Sequence, residues 1–184
     1  FKNLYKNIMS IDYLRRCLTK RKYFWSKAVN DIGCGAAPSS IAYFLLYEED
    51  VNNYGVQINL IDESRNQLDY ALTLLDSICY EKVSSKCENY IINSEMSGLT
   101  FFSYFLCEQD SSFLYELYEK RDLFEEGFFV VDYKKTIYKL KKYFKGENLY
   151  IWNLKIKTSP EIQELLGEKY VNINGMFYCP KRNS

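Results

Sequence analysis

A chain of 184 residues with 47% apolar side chains suits one domain with a sizeable core. Its 24 basic and 24 acidic residues cancel, so the molecule as a whole is not built to attract nucleic acid. Histidine is absent, which excludes His-based triads, His general bases and His-ligated metals at once. The six cysteines include no C-x-x-C pair, which argues against zinc. Most stand in apolar runs and read as small buried hydrophobes, reduced in a cytoplasmic protein, although an even count leaves disulfides open. No segment is long and apolar enough to span a membrane, and no signal peptide is visible. The chain opens on Phe1 rather than methionine, so it reads as trimmed or cut from something longer.

Residues 3–25 read as a helical lead-in, with Leu4, Ile8, Ile11, Leu14 and Leu18 at helical spacing and Phe24-Trp25 closing it. Its other face carries Arg15, Arg16, Lys20, Arg21 and Lys22, either a phosphate-backbone contact or a solvated face. Ala28-Val29 and Ile32 form a short buried strand that runs into Gly33-Cys34-Gly35, where two glycines permit a sharp turn and close approach to a ligand. Pro38 then opens a helix whose apolar residues are Ile41, Ala42, Phe44, Leu45 and Leu46. Asn52 to Gly55 reads as a turn, and Val56 to Asp62 as a second strand ending on an acid. Ser64 is placed to cap the amphipathic helix of residues 65–80.

A polar turn at Ser84-Ser85 precedes a third strand over Glu88–Asn93, which ends on Asn93-Ser94. The apolar run Phe101–Cys107 is expected as the central fourth strand, ending at Glu108-Gln109-Asp110. Asp110 and Ser111-Ser112 can also cap the helix over 112–126. Phe128–Asp132 is a fifth strand. The helix from Lys134 to Lys145 follows, with Lys134, Lys135, Lys139, Lys141, Lys142 and Lys145 around an apolar line of Ile137, Leu140 and Phe144. Those lysines either attract anionic surfaces or form a solvated outer face. Leu149–Ile156 is a sixth strand, Ser159-Pro160-Glu161 starts a short helix to Gly167, and Val171–Cys179 returns as an antiparallel last strand.

The glycine turn admits several ligands. A Walker loop is excluded because no Gly-Lys-Ser/Thr follows. A dinucleotide fingerprint wants a third glycine where Pro38 stands, and Asp31, two residues before Gly33, would repel a pyrophosphate. A carboxylate there suits a ligand bearing positive charge, such as an amino acid ammonium. A glycine turn with no ligand is the plain alternative.

Asp31-Ile32-Gly33-Cys34-Gly35-Ala36-Ala37-Pro38, followed by a strand ending in Asp62, resembles the motif pattern of the class I S-adenosylmethionine-dependent methyltransferases. The resemblance implies an α/β fold: a three-layer Rossmann-like sandwich with a seven-stranded, mostly parallel sheet and an antiparallel last strand. Residues 1–27 would be its lead-in and 28–184 the methyltransferase-like domain. It implies S-adenosylmethionine as cofactor, with Gly33, Cys34 and Gly35 approaching it through their backbone. Asp31 would meet its amino acid part, Asp62 (with Glu63) its ribose, and Asn93 with Ser94 its adenine edge. An ordinary Asn-Ser turn is the other reading of that last pair. Glu108 is the candidate catalytic group at the fourth strand's end. No metal is implied.

Two features of the family are missing. There is no Asp/Asn-Pro-Pro-Tyr motif for exocyclic base amines and no Pro-Cys nucleophile for pyrimidine carbon-5. Those two substrate chemistries are therefore disfavoured. With no insertion after the fourth strand and no extra domain, little room remains for an elaborate pocket, so the methyl acceptor is expected to be a large molecule bound at the surface, RNA or protein, or the site to be completed by a partner subunit or domain. A non-catalytic binding or scaffold module on the same fold is the alternative function, and an NAD-dependent oxidoreductase the third, opposed by Asp31 and Pro38.

Overall fold

The computed structural model describes residues 1–18, 25–78, 82–88, 90, 92 and 95–180. Seven strands form one sheet: β1 (Ala28–Ile32), β2 (Gln57–Asp62), β3 (Lys82–Cys87), β4 (Leu99–Ser103), β5 (Phe128–Asp132), β6 (Leu149–Lys157) and β7 (Tyr170–Tyr178). Their spatial order is β3-β2-β1-β4-β5-β7-β6. Neighbours pair in parallel except at β7, which runs antiparallel between β5 and β6. The strand order reverses at β1, so the carboxyl ends of β1 and β4 diverge there and leave a crevice for a ligand.

Alternation along the strands builds the two cores. Val29, Ile58, Phe101 and Phe129 point to one face and meet Ile11 and Leu14 of α1 (Lys2–Leu18), Phe44 of α2 (Pro38–Leu46), Val51 of α3 (Glu48–Tyr54) and Leu68 of α4 (Arg65–Asp76). Ile32, Phe102 and Val130 point to the other and meet Leu114 and Leu117 of α5 (Ser111–Glu119) and Ile137 and Leu140 of α6 (Lys134–Tyr143). The result is three layers, helix on sheet on helix. The short α7 (Pro160–Leu166) links β6 to β7.

The lead-in is α1. Its buried face holds Asn7, Ser10, Ile11 and Leu14, and the Trp152 indole of β6 donates to Ser10 Oγ at 3.2 Å. Arg15 and Arg16 both pair with Asp12, which offsets one of their two charges; Lys20, Arg21 and Lys22 lie outside the described residues.

Several expected boundaries move. β3 is Lys82–Cys87 rather than Glu88–Asn93: it is an edge strand whose Val83 rests half-buried against the core while Ser84, Lys86 and Cys87 are exposed, so serine and lysine serve there as well as apolar residues. Of the expected segment, Glu88, Tyr90 and Ile92 follow β3, and Ile92 is buried without being in a strand. β4 ends at Ser103, not Cys107. The apolar run continues because Leu106 turns back into the core, so it records burial rather than extended backbone. Of the expected turn at Asn52–Gly55, residues 52–54 belong to α3 and Gly55 is its C-cap; the first turn of α3 carries Glu48, Glu49 and Asp50, acids that complement a helix N-terminus. The helix expected over 112–126 stops at Glu119 and continues as a single 3-10 turn, Arg121–Leu123. Among the described residues no helix is long and apolar enough to cross a membrane. Among the described residues Cys17, Cys34, Cys87 and Cys107 are free thiols.

Candidate functional site

The glycine turn lies where β1 meets α2. Gly33 and Cys34 donate their backbone N–H groups to the Ile61 carbonyl of β2, at 2.8 and 3.3 Å, which ties the turn to the neighbouring strand. Gly33 has φ +61°, and a Cβ there would stand 2.2 Å from the Phe105 ring. Gly35, at φ +51°, faces open space. Pro38 is the first residue of α2, as its fixed φ favours.

Asp62 closes this turn from β2. One carboxylate oxygen accepts from Gly35 N–H at 2.8 Å and the other from Ser64 N–H at 2.8 Å. Ser64 occupies the N-cap position of α4 with no side-chain capping bond of its own; Asp62 supplies an acceptor there instead. A carboxylate has about four acceptor positions, so two remain for a ligand.

A cavity of about 430 Å³ opens beside the turn, inside the roughly 300–1,000 Å³ of ordinary ligand sites. Gly33, Gly35, Asp62 and Glu63 line it from β1 and β2, Glu88 and Tyr90 from the segment after β3, and Tyr104, Phe105, Glu108 and Gln109 from the turn after β4. Four of these residues are carboxylates and none is Lys or Arg. Tyr90, Tyr104, Phe105, Gln67 and Gln109 carry no motif that would mark them in the sequence; tertiary structure alone gathers them.

A second cavity of about 680 Å³ shares Gly33 and Gly35 with the first and adds Cys34, Pro38 and Ile41, with Phe1 and Leu4 of the lead-in and Tyr70 and Leu74 of α4. It is the more apolar of the two. Cys34 is buried, and burial together with nearby Asp31 and Asp62 raises its thiol well above the usual range, so it remains protonated.

The two acids of the motif occupy different environments. Asp31 lines neither cavity. It is fully buried against α2, where its Oδ2 accepts from Ser40 N–H at 3.1 Å and Ser40 Oγ–H at 2.8 Å, while Oδ1 has no partner. Burial pushes its pKa up to about 7 against the opposing pull of the Ser40 hydrogen bonds. Glu108 is exposed on the cavity wall, five residues beyond Ser103 and within the turn that follows β4. Asp110 caps α5, accepting from Phe113 N–H at 2.9 Å and Ser112 Oγ–H at 2.6 Å, and those bonds lower its pKa. Asn93 and Ser94 lie outside the described residues.

Tyr104 carries a feature invisible in sequence. Its φ is +58°, a left-handed backbone on a bulky residue, costing of order 1–3 kcal/mol. Its N–H donates to the Val131 carbonyl at 2.9 Å, its hydroxyl accepts from Lys6 Nζ at 2.9 Å, and its ring meets that of Tyr133 edge to face at 5.4 Å. Next to it, Ser103 Oγ accepts from the buried Asn7 amide of α1 at 2.8 Å, so the lead-in helix is pinned to the end of β4 at the cavity mouth.

No protein-family model and no curated protein sequence matches the chain. Solved structures do match. A precorrin-6y C5,15-methyltransferase from Geobacter metallireducens superposes with a TM-score of 0.59 at 15% identity, over 91% of this chain and 89% of that one. A magnesium protoporphyrin IX methyltransferase from Synechocystis, solved with bound S-adenosylmethionine, gives 0.58 at 12% identity, over 95% and 80%. An rRNA methylase from Streptococcus thermophilus gives 0.57 at 11% identity, over 94% and 97%. The chain has the Rossmann-like fold of the class I methyltransferases, along almost its whole length.

Proposed function

We propose that the chain is an S-adenosylmethionine-dependent methyltransferase acting on a large acceptor bound at its surface. The observation that carries the reading is the charge of the cavity: among the described residues, four carboxylates and no basic side chain line it, beside a glycine turn at the switch point of the sheet. Such a wall repels the pyrophosphate of a dinucleotide and favours a cationic ligand that also offers hydroxyl donors. The residues fit that cofactor. Asp62 has two acceptor positions left for a ribose diol, Glu63 stands beside it, and the open space over Gly35 admits close backbone approach. Tyr90 and Phe105 offer aromatic surface for the base.

When bound, the cofactor supplies a methyl carbon made electrophilic by the sulfonium. What remains for the chain is alignment of the acceptor with the C–S bond. Tyr104, held rigidly by Lys6, Tyr133 and its own backbone bond, forms the wall toward which an acceptor would approach, and Glu108 is placed to orient or deprotonate it. Asp31 acts from beneath the turn rather than by lining the cavity. Four free thiols among the described residues fit a reducing compartment, and we assign the protein to the cytoplasm on that ground.

Calorimetry with S-adenosylmethionine and its demethylated product tests the cofactor: binding that Asp62→Ala weakens by about 100-fold is expected, and NADH binding in its place would overturn the reading. The exposure of Glu108 leaves a second reading, a module that binds cofactor without transferring a methyl group. Labelled-methyl transfer to RNA and protein fractions separates the two.

A further inference from the structure

The charges that cancel in the whole chain are segregated in space. α6, β6 and β7 contain no carboxylate, and they carry Lys134, Lys135, Lys139, Lys141, Lys142, Lys155 and Lys157, all exposed. Among the described residues none of these lysines has a carboxylate within ion-pair distance.

α6 packs over β5 and β7, and β6 is the sheet's last strand, so the far half of the β6–β7 hairpin has no helix over it on this side. Cross-strand register puts Asn153 opposite Asn174, Lys155 opposite Asn172 and Lys157 opposite Tyr170, all on the α6 side by strand alternation. Where a covered sheet would present Val, Ile or Leu, this one presents amides, lysines and a tyrosine. A shallow groove of about 80 Å³ runs between Lys134, Tyr138 and Lys141 of α6 and Ile151, Asn153 and Asn174 of the hairpin.

Aromatic rings are interleaved with the lysines. Tyr133, Tyr138 and Tyr170 are exposed. Lys134 Nζ lies 5.8 Å from the Tyr138 ring centre and Lys155 Nζ 4.8 Å from that of Tyr170. The face is also joined to the cavity mouth, because Tyr133 at the head of α6 touches Tyr104, which lines that cavity.

We propose that this face binds a single-stranded polynucleotide and leads it to the cavity mouth. Lysines along a groove neutralise successive phosphates, exposed tyrosines give bases a stacking platform, and asparagine amides meet base edges. Neither half of that arrangement suits an acidic protein, which has no planar bases to stack, and no helix or ribbon projects from the face to enter a duplex groove. The link to methyl transfer rests on the function proposed above; the binding itself does not.

The test is fluorescence anisotropy of the full chain with labelled oligouridylate, oligothymidylate and a duplex of equal length, over a range of salt. Single strands are expected to bind, RNA at least as well as DNA, with affinity falling steeply as salt rises. Lys141→Glu with Lys155→Glu is expected to weaken binding at least tenfold, while Lys86→Glu on the opposite sheet edge changes it less than twofold, with circular dichroism unchanged in both. Preference for duplex, absence of binding at low salt, or equal weakening by the Lys86 control would overturn the proposal. If the oligonucleotide binds and the cofactor does not, this surface stands and the methyltransferase reading falls; the converse leaves the cofactor site and removes the track.

Discussion

The tips of β1 and β2 and the open face of α6 with the β6–β7 hairpin are made from the same neutral composition, and they differ in how their charges are held. At the tips, acids are built into the fold: Asp62 spends two acceptor positions on backbone N–H groups and Asp31 is fully buried. On the lysine face the charges stand in solvent, and among the described residues none is within ion-pair distance of a carboxylate. Folded-state energy is thus tied to the acidic site and not to the basic one. A net charge of zero conceals both.

That contrast can be broken at the acidic end first. An unfolded Asp titrates near about 4, and burial holds Asp31 at about 7, so the folded chain keeps its proton across the interval between them. The stability from this group is fully present below the unfolded value, declines as pH rises and is gone above the folded one. Asp31→Asn is expected to flatten that decline, gaining up to about 4 kcal/mol over the native chain at pH 8 in urea denaturation. A pH-independent difference would show that Asp31 is already ionised.

Gly33→Ala combines left-handed backbone strain with a Cβ 2.2 Å from the Phe105 ring, and is expected to cost about 3 kcal/mol. Gly35→Ala has the strain without the clash and is expected to cost about 1–2 kcal/mol. Equal denaturation midpoints for the two variants would mean that Phe105 moves aside freely.

Asp62→Ala removes two backbone hydrogen bonds and the remaining acceptors together. Cofactor affinity is expected to fall by about 100-fold, since bonds to a charged group are each worth about 1.5–3 kcal/mol, and the calorimetric titration reads it directly. Anisotropy with oligouridylate should not change.

The smallest expected effect sharpens the contrast from the other side. Lys141→Glu is predicted to alter folding stability by less than about 0.5 kcal/mol, because the side chain is exposed and has no ion-pair partner among the described residues. A loss of several kcal/mol in urea denaturation would give the lysine face a structural role.

Particular residues show what could be read in advance. The glycine turn, Pro38 at the start of α2 and an acid at the tip of β2 were legible because short-range rules govern them: φ freedom, a missing N–H and strand alternation. β3 was displaced because an edge strand with one half-buried valine has no apolar signature, and β4 was overextended because Leu106 is buried in a turn. Tyr104 offered no hint of its left-handed backbone.

The sequence by itself determined the alternation of strands and helices, the glycine turn and the acids at two neighbouring strand tips, because each follows from periodicity or from the backbone limits of single residue types. Only the tertiary structure decided which acid faces the cavity and which is buried, which aromatics gather at the mouth, and that the lysines of α6 share an open face with the β6–β7 hairpin. Those depend on which side chains strand order and helix packing bring together across the chain, and no local rule encodes that.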